Sequence, residues 1–258
     1  MKLTNAFGLL ADFWLAIRAA FIPTVNDVFN TPSLLFSPSL VSKRFMAYVW
    51  VAFADSTDDA GRAVKFGLIT PHAHGVVLDI GAGHGHTVHY LDRQKVTQYV
   101  ALEPNTRMHS HIRTRANAAG FVEPDGSLAI LSYGAQDTAR IAAALGPVDT
   151  IVSVLTLCSV PEPERTLHNL VGDVLKAGGT LLFYEHVRNP REDVAWWQRF
   201  WTPMWQTAFD GCKLDRATHV WIDAMPVWET KKVWGKDGED FESLFWHRAG
   251  RFVKKGDA

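Results

Sequence analysis

Between residues 75 and 185, short continuous apolar runs alternate with stretches whose apolar side chains recur every three or four positions. Runs bounded by turn residues predict buried strands, and the intervening stretches predict helices. The strands fall at 75–80, 98–103, 128–132, 150–154 and 180–185, and the helices at about 86–93, 106–119, 137–145 and 162–175. Lys176-Ala-Gly-Gly179 makes the turn into the fifth strand. Strand alternating with helix predicts a doubly wound, parallel α/β sheet. Two further extended stretches, 226–234 and 244–254, meet across Gly235-Lys-Asp-Gly238 and predict a C-terminal antiparallel hairpin.

The first seventy residues precede this alternation. Residues 6–22 are strongly apolar but contain Asp12 and Arg18, which makes the run too short and too charged to span a bilayer comfortably. They also lack the basic start and small-residue cleavage site of a removable leader. At helical spacing Phe7, Leu10, Trp14, Ile17 and Phe21 share one side, while Asn5, Gly8, Asp12 and Ala19 lie near the other. The expectation is an amphipathic helix that either packs over the ligand cleft or lies in a membrane interface as a peripheral contact. Residues 31–39 read as a loop and 40–54 as a second helix. The predicted organisation is therefore a helical cap or membrane-associating segment, 1–70, followed by the sheet domain, 71–258.

At 258 residues, 47% hydrophobic and 21% charged, the chain is long enough for one large α/β core with an extra layer. With 26 basic and 27 acidic residues there is no concentrated positive surface for nucleic acid, and a small-molecule partner is expected. Two cysteines exclude a disulfide framework or a four-thiolate metal site and favour a reducing, intracellular setting. Cys158 lies in an apolar stretch and Cys212 in a polar turn, and both read as structural thiols. His84, His86, His89, His109 and His111 match no metal-ligand spacing, so no metal is expected.

The candidate chemistry starts at the end of the first strand, in Asp79-Ile-Gly-Ala-Gly-His-Gly85, with Glu103 closing the second strand. A glycine turn lets backbone approach a ligand, and an acid at the next strand end is placed for a ribose diol, so a nucleotide-like cofactor is expected. The dinucleotide fingerprint fails, because its last glycine position is occupied by His86, too large for close helix-to-sheet packing. The Asp79-x-Gly81-x-Gly83-x-Gly85 spacing instead resembles motif I of class I S-adenosylmethionine-dependent methyltransferases. That resemblance implies a Rossmann-like fold and S-adenosyl-L-methionine as cofactor. It implies that Asp79 sits near the amino-acid moiety, that Gly81, Gly83 and Gly85 leave room for methionine and ribose, and that Glu103 accepts both ribose hydroxyls. In Tyr133-Gly-Ala-Gln-Asp137 it implies Gln136 or Asp137 as partner of the adenine amino group, although Asp137 also reads as a helix N-terminal signal. In residues 148–160 it places Leu155 on the loop beside the transferable methyl.

Three phrases, Thr156-Leu-Cys-Ser-Val160, Glu185-His-Val187 and the tryptophan-rich stretch from Trp197 through Phe209-Asp-Gly-Cys212 to Leu214, resemble the methyltransferase-like family of alkyl thiol methyltransferases. Mammalian members of that family reside at the endoplasmic reticulum and lipid droplets, which implies a location in the cytoplasm or on the cytoplasmic face of those membranes. The chain departs from the family in its less hydrophobic N-terminus and between Arg107 and Leu145. The resemblance implies S-methylation of a small apolar thiol by in-line displacement at a sulfonium methyl, where positioning and desolvation supply much of the acceleration. The acceptor-side candidates are Cys158, Ser159, Glu185, His186 and Asp210, with Cys158 also readable as a small buried hydrophobe. His186 either takes a proton, orients the substrate, or is hydrogen-bonded to backbone or Asp210. Trp196, Trp197, Phe200, Trp201 and Trp205 either roof an apolar pocket or pack ordinarily. Two other classes stand beside this reading: an O- or N-methyltransferase of small-molecule biosynthesis, and a non-catalytic binding module that keeps the fold.

Overall fold

A computed structural model describes residues 1–256. Its seven-stranded sheet has the order β3-β2-β1-β4-β5-β7-β6. Strands β1 (Gly75–Ile80), β2 (Val96–Leu102), β3 (Leu128–Leu131), β4 (Val148–Val154) and β5 (Leu175–Val187) run parallel, while β6 (Trp228–Gly235) and β7 (Trp246–Lys254) form the antiparallel hairpin. The chain is thus a class I methyltransferase-like α/β sheet, mostly parallel, with an antiparallel end and N-terminal helices. Register aligns Ile80 with Leu102 on one side and with Ser153 on the other, so the C-terminal ends of β1, β2 and β4 share one edge. Strand order reverses between β1 and β4, and a crevice at such a reversal is where open α/β sheets bind ligands.

The helices comprise α1 (Leu3–Ala6), α2 (Leu9–Asn30), α3 (Pro38–Ala60), α4 (Arg62–Ile69), α5 (His109–Ala118), α6 (Thr138–Leu145), α7 (Pro163–Asn169), α8 (Glu192–Ala208) and α9 (Thr218–Ala224). Residues of α4 and α5, including Leu68, Ile69 and Ile112, bury against one sheet face with Val77 and Tyr99. The other face takes Ile141, Leu167 and Ile222 from α6, α7 and α9. A third apolar cluster joins α2, α3 and α8 at the edge where the cleft opens. Because α4 belongs to the sheet's own core, that core begins before residue 71.

Several expectations change. The helix expected at 86–93 is a single 3₁₀ turn, His86–Tyr90, since the histidines there provide no apolar stripe to extend it. Residues 176–179 join β5 as an irregularity with Gly178 at φ +72°, and the 162–175 helix ends in a π-type turn, Leu170–Val174. Part of the loop expected at 31–39 is a 3₁₀ turn, Pro32–Phe36, and α3 starts at Pro38. The N-terminal helical stretch is longer than expected: Leu3–Asn30, 28 residues, is long and apolar enough to cross a membrane by length and composition. The structure also defines which side of it faces out. Leu9, Ala16, Ala20 and Thr24 are buried, whereas Trp14, Ile17 and Phe21 are 58%, 51% and 58% exposed. Small residues permit close approach to α3, and the bulky stripe is left outside.

Candidate active site

The turn after β1 is built by backbone that only glycine adopts readily. Gly81 and Gly83 have φ of +66° and +55°, and a Cβ on them would lie 2.4 Å from Thr156 Cγ2 and 2.7 Å from Trp50 Nε1. Gly85 meets the α5 backbone at Ile112, and so takes the helix-packing role that the dinucleotide fingerprint gives to the position occupied by His86. The N–H groups of Gly81 and Ala82 both reach Leu102 O, which ties the turn to the end of β2.

Glu103 closes that end. One carboxylate oxygen accepts from Gly83 N at 2.9 Å and the other from Asn105 N at 2.8 Å. Burial drives its pKa up to about 7 against the pull of these two N–H groups, with nearby Asp210 adding to the rise. Each carboxylate oxygen keeps a second acceptor direction, so the group can receive a diol without releasing the turn. Asp79 lies deeper, 1% exposed beneath the turn, where Tyr99 Oη donates to it at 2.8 Å and Thr87 bonds it as well. Burial again brings the pKa to about 7.

Helix α3 covers this turn. Trp50, Ala54, Thr57 and Asp58 line a cavity of about 50 Å³ with Gly81, Gly83, His86 and Leu155. A buried Asp58–Lys65 ion pair, to which Tyr90 Oη also donates, and Asp55 bonds to His86 and Arg115 at 2.7 Å hold α3 in place. Trp50 Nε1 is buried without a hydrogen-bond partner. Gln136 is exposed, and Asp137 accepts from Gly134 N at 3.1 Å at the start of α6.

On the acceptor side, Leu155 has φ +51° and donates its N–H to Tyr184 O at 2.9 Å, opening the loop after β4. Glu185 is fully buried and holds that loop, accepting from Ser153 Oγ at 2.6 Å, Thr156 N at 3.0 Å and Leu157 N at 3.2 Å. Desolvation raises its pKa, opposed by these donors. Its neighbour His186 points elsewhere, as successive strand residues do. His186 Nε2 lies 3.3 Å from Cys212 Sγ, and Cys158 Sγ joins them, all three ligand atoms lying within 4.8 Å of one another.

Residues 55–222 match a family described as a methyltransferase domain. The chain belongs to the S-adenosylmethionine-dependent methyltransferases. Thiol S-methyltransferase TMT1B of Rattus norvegicus is 41% identical over 108 residues, 42% of this chain and 44% of that protein. Thiol S-methyltransferase TMT1A of Homo sapiens is 45% identical over 74 residues, 28% of this chain and 29% of that protein. The chain therefore matches less than half the length of these relatives. An O-methyltransferase family protein from Burkholderia thailandensis aligns with TM-score 0.55 and 12% identity, over 85% of this chain and 60% of that one. The N-methyltransferase NodS from Bradyrhizobium japonicum, in complex with S-adenosyl-L-homocysteine, aligns with TM-score 0.51 and 12% identity, over 76% and 86%. At such identities the structural likeness establishes the fold.

In this methyltransferase, Glu103 and the glycine turn converge at one end of the cleft, with Leu155 facing them. Asp210, at φ +46° after α8, lies on the Glu103 side near Lys43 and does not bond His186, whose partner is a thiol. His86 bonds Asp55, His109 Nε2 contacts Glu103 O at 2.8 Å, and His84 stacks on His111 at 4.0 Å. Sequence reasoning missed Trp50 and Arg216. Arg216 donates to Leu157 O and Val160 O at 2.6 and 2.7 Å, closing the loop from behind. Neither carries a local motif.

Proposed function

We propose that the protein transfers the methyl group of S-adenosylmethionine to the sulfur of a small apolar thiol. The observation that carries this reading is the composition of the acceptor end. Cys158 and Cys212 sit in one apolar cluster with Val49, Trp201, Trp205 and Phe209, and His186 is set edge-on to Phe245. Such a wall favours an uncharged aliphatic or aromatic acceptor. A thiol is a far stronger acid than an aliphatic hydroxyl, a cysteine side chain ionising at about 8.5, so it needs less basic assistance.

In this assignment Glu103 accepts the ribose hydroxyls, and Gly81 and Gly83 let backbone lie against the cofactor. Gly85 and Asp79 support that turn from behind and below, while Gln136 or Asp137 meets the adenine. Leu155, at the cleft wall, borders the reacting methyl. Glu185 is a positioning residue, because its oxygens are taken by the loop. The cluster of Cys158, His186 and Cys212 serves the acceptor sulfur, and Asp210 lies with Lys43 at the cofactor rim. When bound, the cofactor supplies an activated methyl electrophile; the chain aligns the sulfur with it and excludes water.

The same reading includes peripheral membrane contact. Trp14, Ile17 and Phe21 on α2, together with Trp196, Phe200 and Met204 on α8, are exposed apolar side chains on helices that share one cluster. Apolar acceptors partition into lipid, and an interfacial face near the acceptor end suits their delivery.

Labelled methyl transfer to alkanethiols, phenols and amines tests the activity. We expect thiols to be methylated preferentially; transfer confined to oxygen or nitrogen acceptors would overturn the assignment, and no binding of adenosylhomocysteine would leave a non-catalytic module.

A further inference from the structure

We propose that Cys158, His186 and Cys212 bind one zinc ion whose fourth position is open to the acceptor sulfur. The identity of that fourth ligand rests on the thiol reading above; the three protein ligands do not. Three stretches distant in sequence converge here: the loop after β4, the end of β5 and the turn after α8. They are also the three phrases by which the sequence resembles thiol methyltransferases, each contributing one member.

The geometry suits a soft divalent ion. The three ligand atoms lie within 4.8 Å of one another, and Cys212 Sγ is 3.3 Å from His186 Nε2. Tetrahedral zinc, with bonds of roughly 2.3 Å to sulfur and 2.0 Å to nitrogen, places such a pair about 3.5 Å apart. His186 Nδ1 has no hydrogen-bond partner, so Nε2 is the nitrogen turned to the sulfurs. Both cysteines are free and buried. Their segments are fixed to each other, because Lys213 N donates to Cys158 O at 3.0 Å, and the turn itself is closed by Cys212 N donating to Phe209 O at 3.0 Å. Glu185 and Arg216 clamp the loop on either side of Cys158. The ligands are thus held before any ion arrives. Two cysteines and a histidine with one open position form the arrangement of catalytic zinc, whereas structural zinc takes four protein ligands.

Charge closes as well. Two thiolates offset the zinc ion, so the metal and its three protein ligands are neutral before an acceptor binds, and the acceptor's anionic sulfur is balanced by the sulfonium.

In the step itself, the acceptor thiol binds through sulfur and its proton passes to solvent. A sulfur lone pair forms the new bond to the methyl carbon as the methyl–sulfonium bond breaks. That electron pair stays on the sulfur of adenosylhomocysteine, and the neutral thioether, a weaker ligand, leaves. Zinc remains divalent throughout. Cys158 Sγ lies 3.7 Å from Leu155 O, which puts the cluster against the residue that lines the cofactor cleft.

The test uses the full chain, purified under reducing conditions with zinc present. We expect one zinc per chain, and cobalt replacement giving thiolate-to-metal charge-transfer bands with tetrahedral visible absorption. Cys158→Ser, Cys212→Ser and His186→Ala should each lose the ion while still binding adenosylhomocysteine, the control for folding. X-ray absorption of the zinc-loaded wild type should show two sulfur ligands and two lighter ones, the imidazole nitrogen and a solvent oxygen, which needs no variant. Chelator treatment should lower thiol methylation by about tenfold or more, with zinc restoring it. Absence of a tetrahedral cobalt spectrum, or metal retained in the Cys158→Ser/Cys212→Ser double variant, overturns the proposal. Undiminished methylation by metal-free enzyme also overturns it, while leaving thiol methylation standing. A two-sulfur, one-nitrogen site in a protein that methylates no thiol upholds the metal site and overturns the acceptor assignment instead.

Discussion

The pKa of Glu103 links cofactor binding to pH in a way that can be calculated. In the cofactor-free protein this carboxyl titrates at about 7 because it is buried. Ribose hydroxyls donate to it, so they select the ionised form and pull the bound-state pKa down. Affinity then follows the ionised fraction, about one tenth at pH 6 and about nine tenths at pH 8, a gain of about tenfold or 1.4 kcal/mol. Isothermal calorimetry with adenosylhomocysteine should show this rise. Repeated at pH 7 in buffers of different ionisation enthalpy, it should show release of about half a proton. In Glu103→Gln the slope should vanish. One amide end would also present N–H groups to the N–H of Gly83 or Asn105, weakening binding about 10- to 100-fold. Asp79→Asn should keep the slope, since Asp79 lies beneath the turn. Affinity flat between pH 6 and 8, or a slope that survives Glu103→Gln, would refute the reasoning.

Stability of the cofactor-free protein should run the other way. Burial raises the folded pKa values of Asp79 and Glu103 to about 7, above ordinary carboxyl values of 3.8 and 4.5. Their contribution is therefore fully present below about pH 4 and lost as pH rises through 7, by up to roughly 4 kcal/mol for Asp79. Thermal midpoints should fall between pH 5 and 8, less so in Asp79→Asn; a flat profile would refute the burial argument. Glu185→Gln should lower kcat about 10- to 100-fold with adenosylhomocysteine affinity little changed, because it loosens the 155–157 loop and leaves the glycine turn intact; an equal loss of affinity would contradict this. Gly81→Ala forces a Cβ to 2.4 Å from Thr156 at φ +66°, and should destabilise by about 2 kcal/mol or more in chemical denaturation and abolish cofactor binding. The triple change Trp14→Ser, Ile17→Ser, Phe21→Ser should leave the thermal midpoint within a few degrees but remove co-flotation with anionic phospholipid vesicles; vesicle binding equal to wild type would remove α2 from the interface.

What could be read from the chain was what a single element carries. The runs ending at Ile80, Leu102 and Val154 are apolar on both faces, so they can only be buried strands, and three glycines at alternate positions after Asp79 announce a turn. Periodicity on α2 identified which residues share a side, yet it could not say which side faces out. Ala16 and Ala20 allow the backbone of α2 to approach α3 closely, and that contact decided the orientation against the bulkier stripe. Trp50 escaped notice for the same reason: its indole matters only because α3 crosses the turn and meets Gly83. The acceptor cluster goes further. Cys158 and Cys212 each resemble a small buried hydrophobe, and His186 sits near the end of an apolar strand. Their meaning is positional, since β4 beside β5 sets the first loop against the second strand's end, and the turn after α8 brings the last sulfur back. Residues that look inert in sequence acquire chemistry only through that register, so shifting β5 by one position would bring Glu185 to the sulfurs in place of the imidazole.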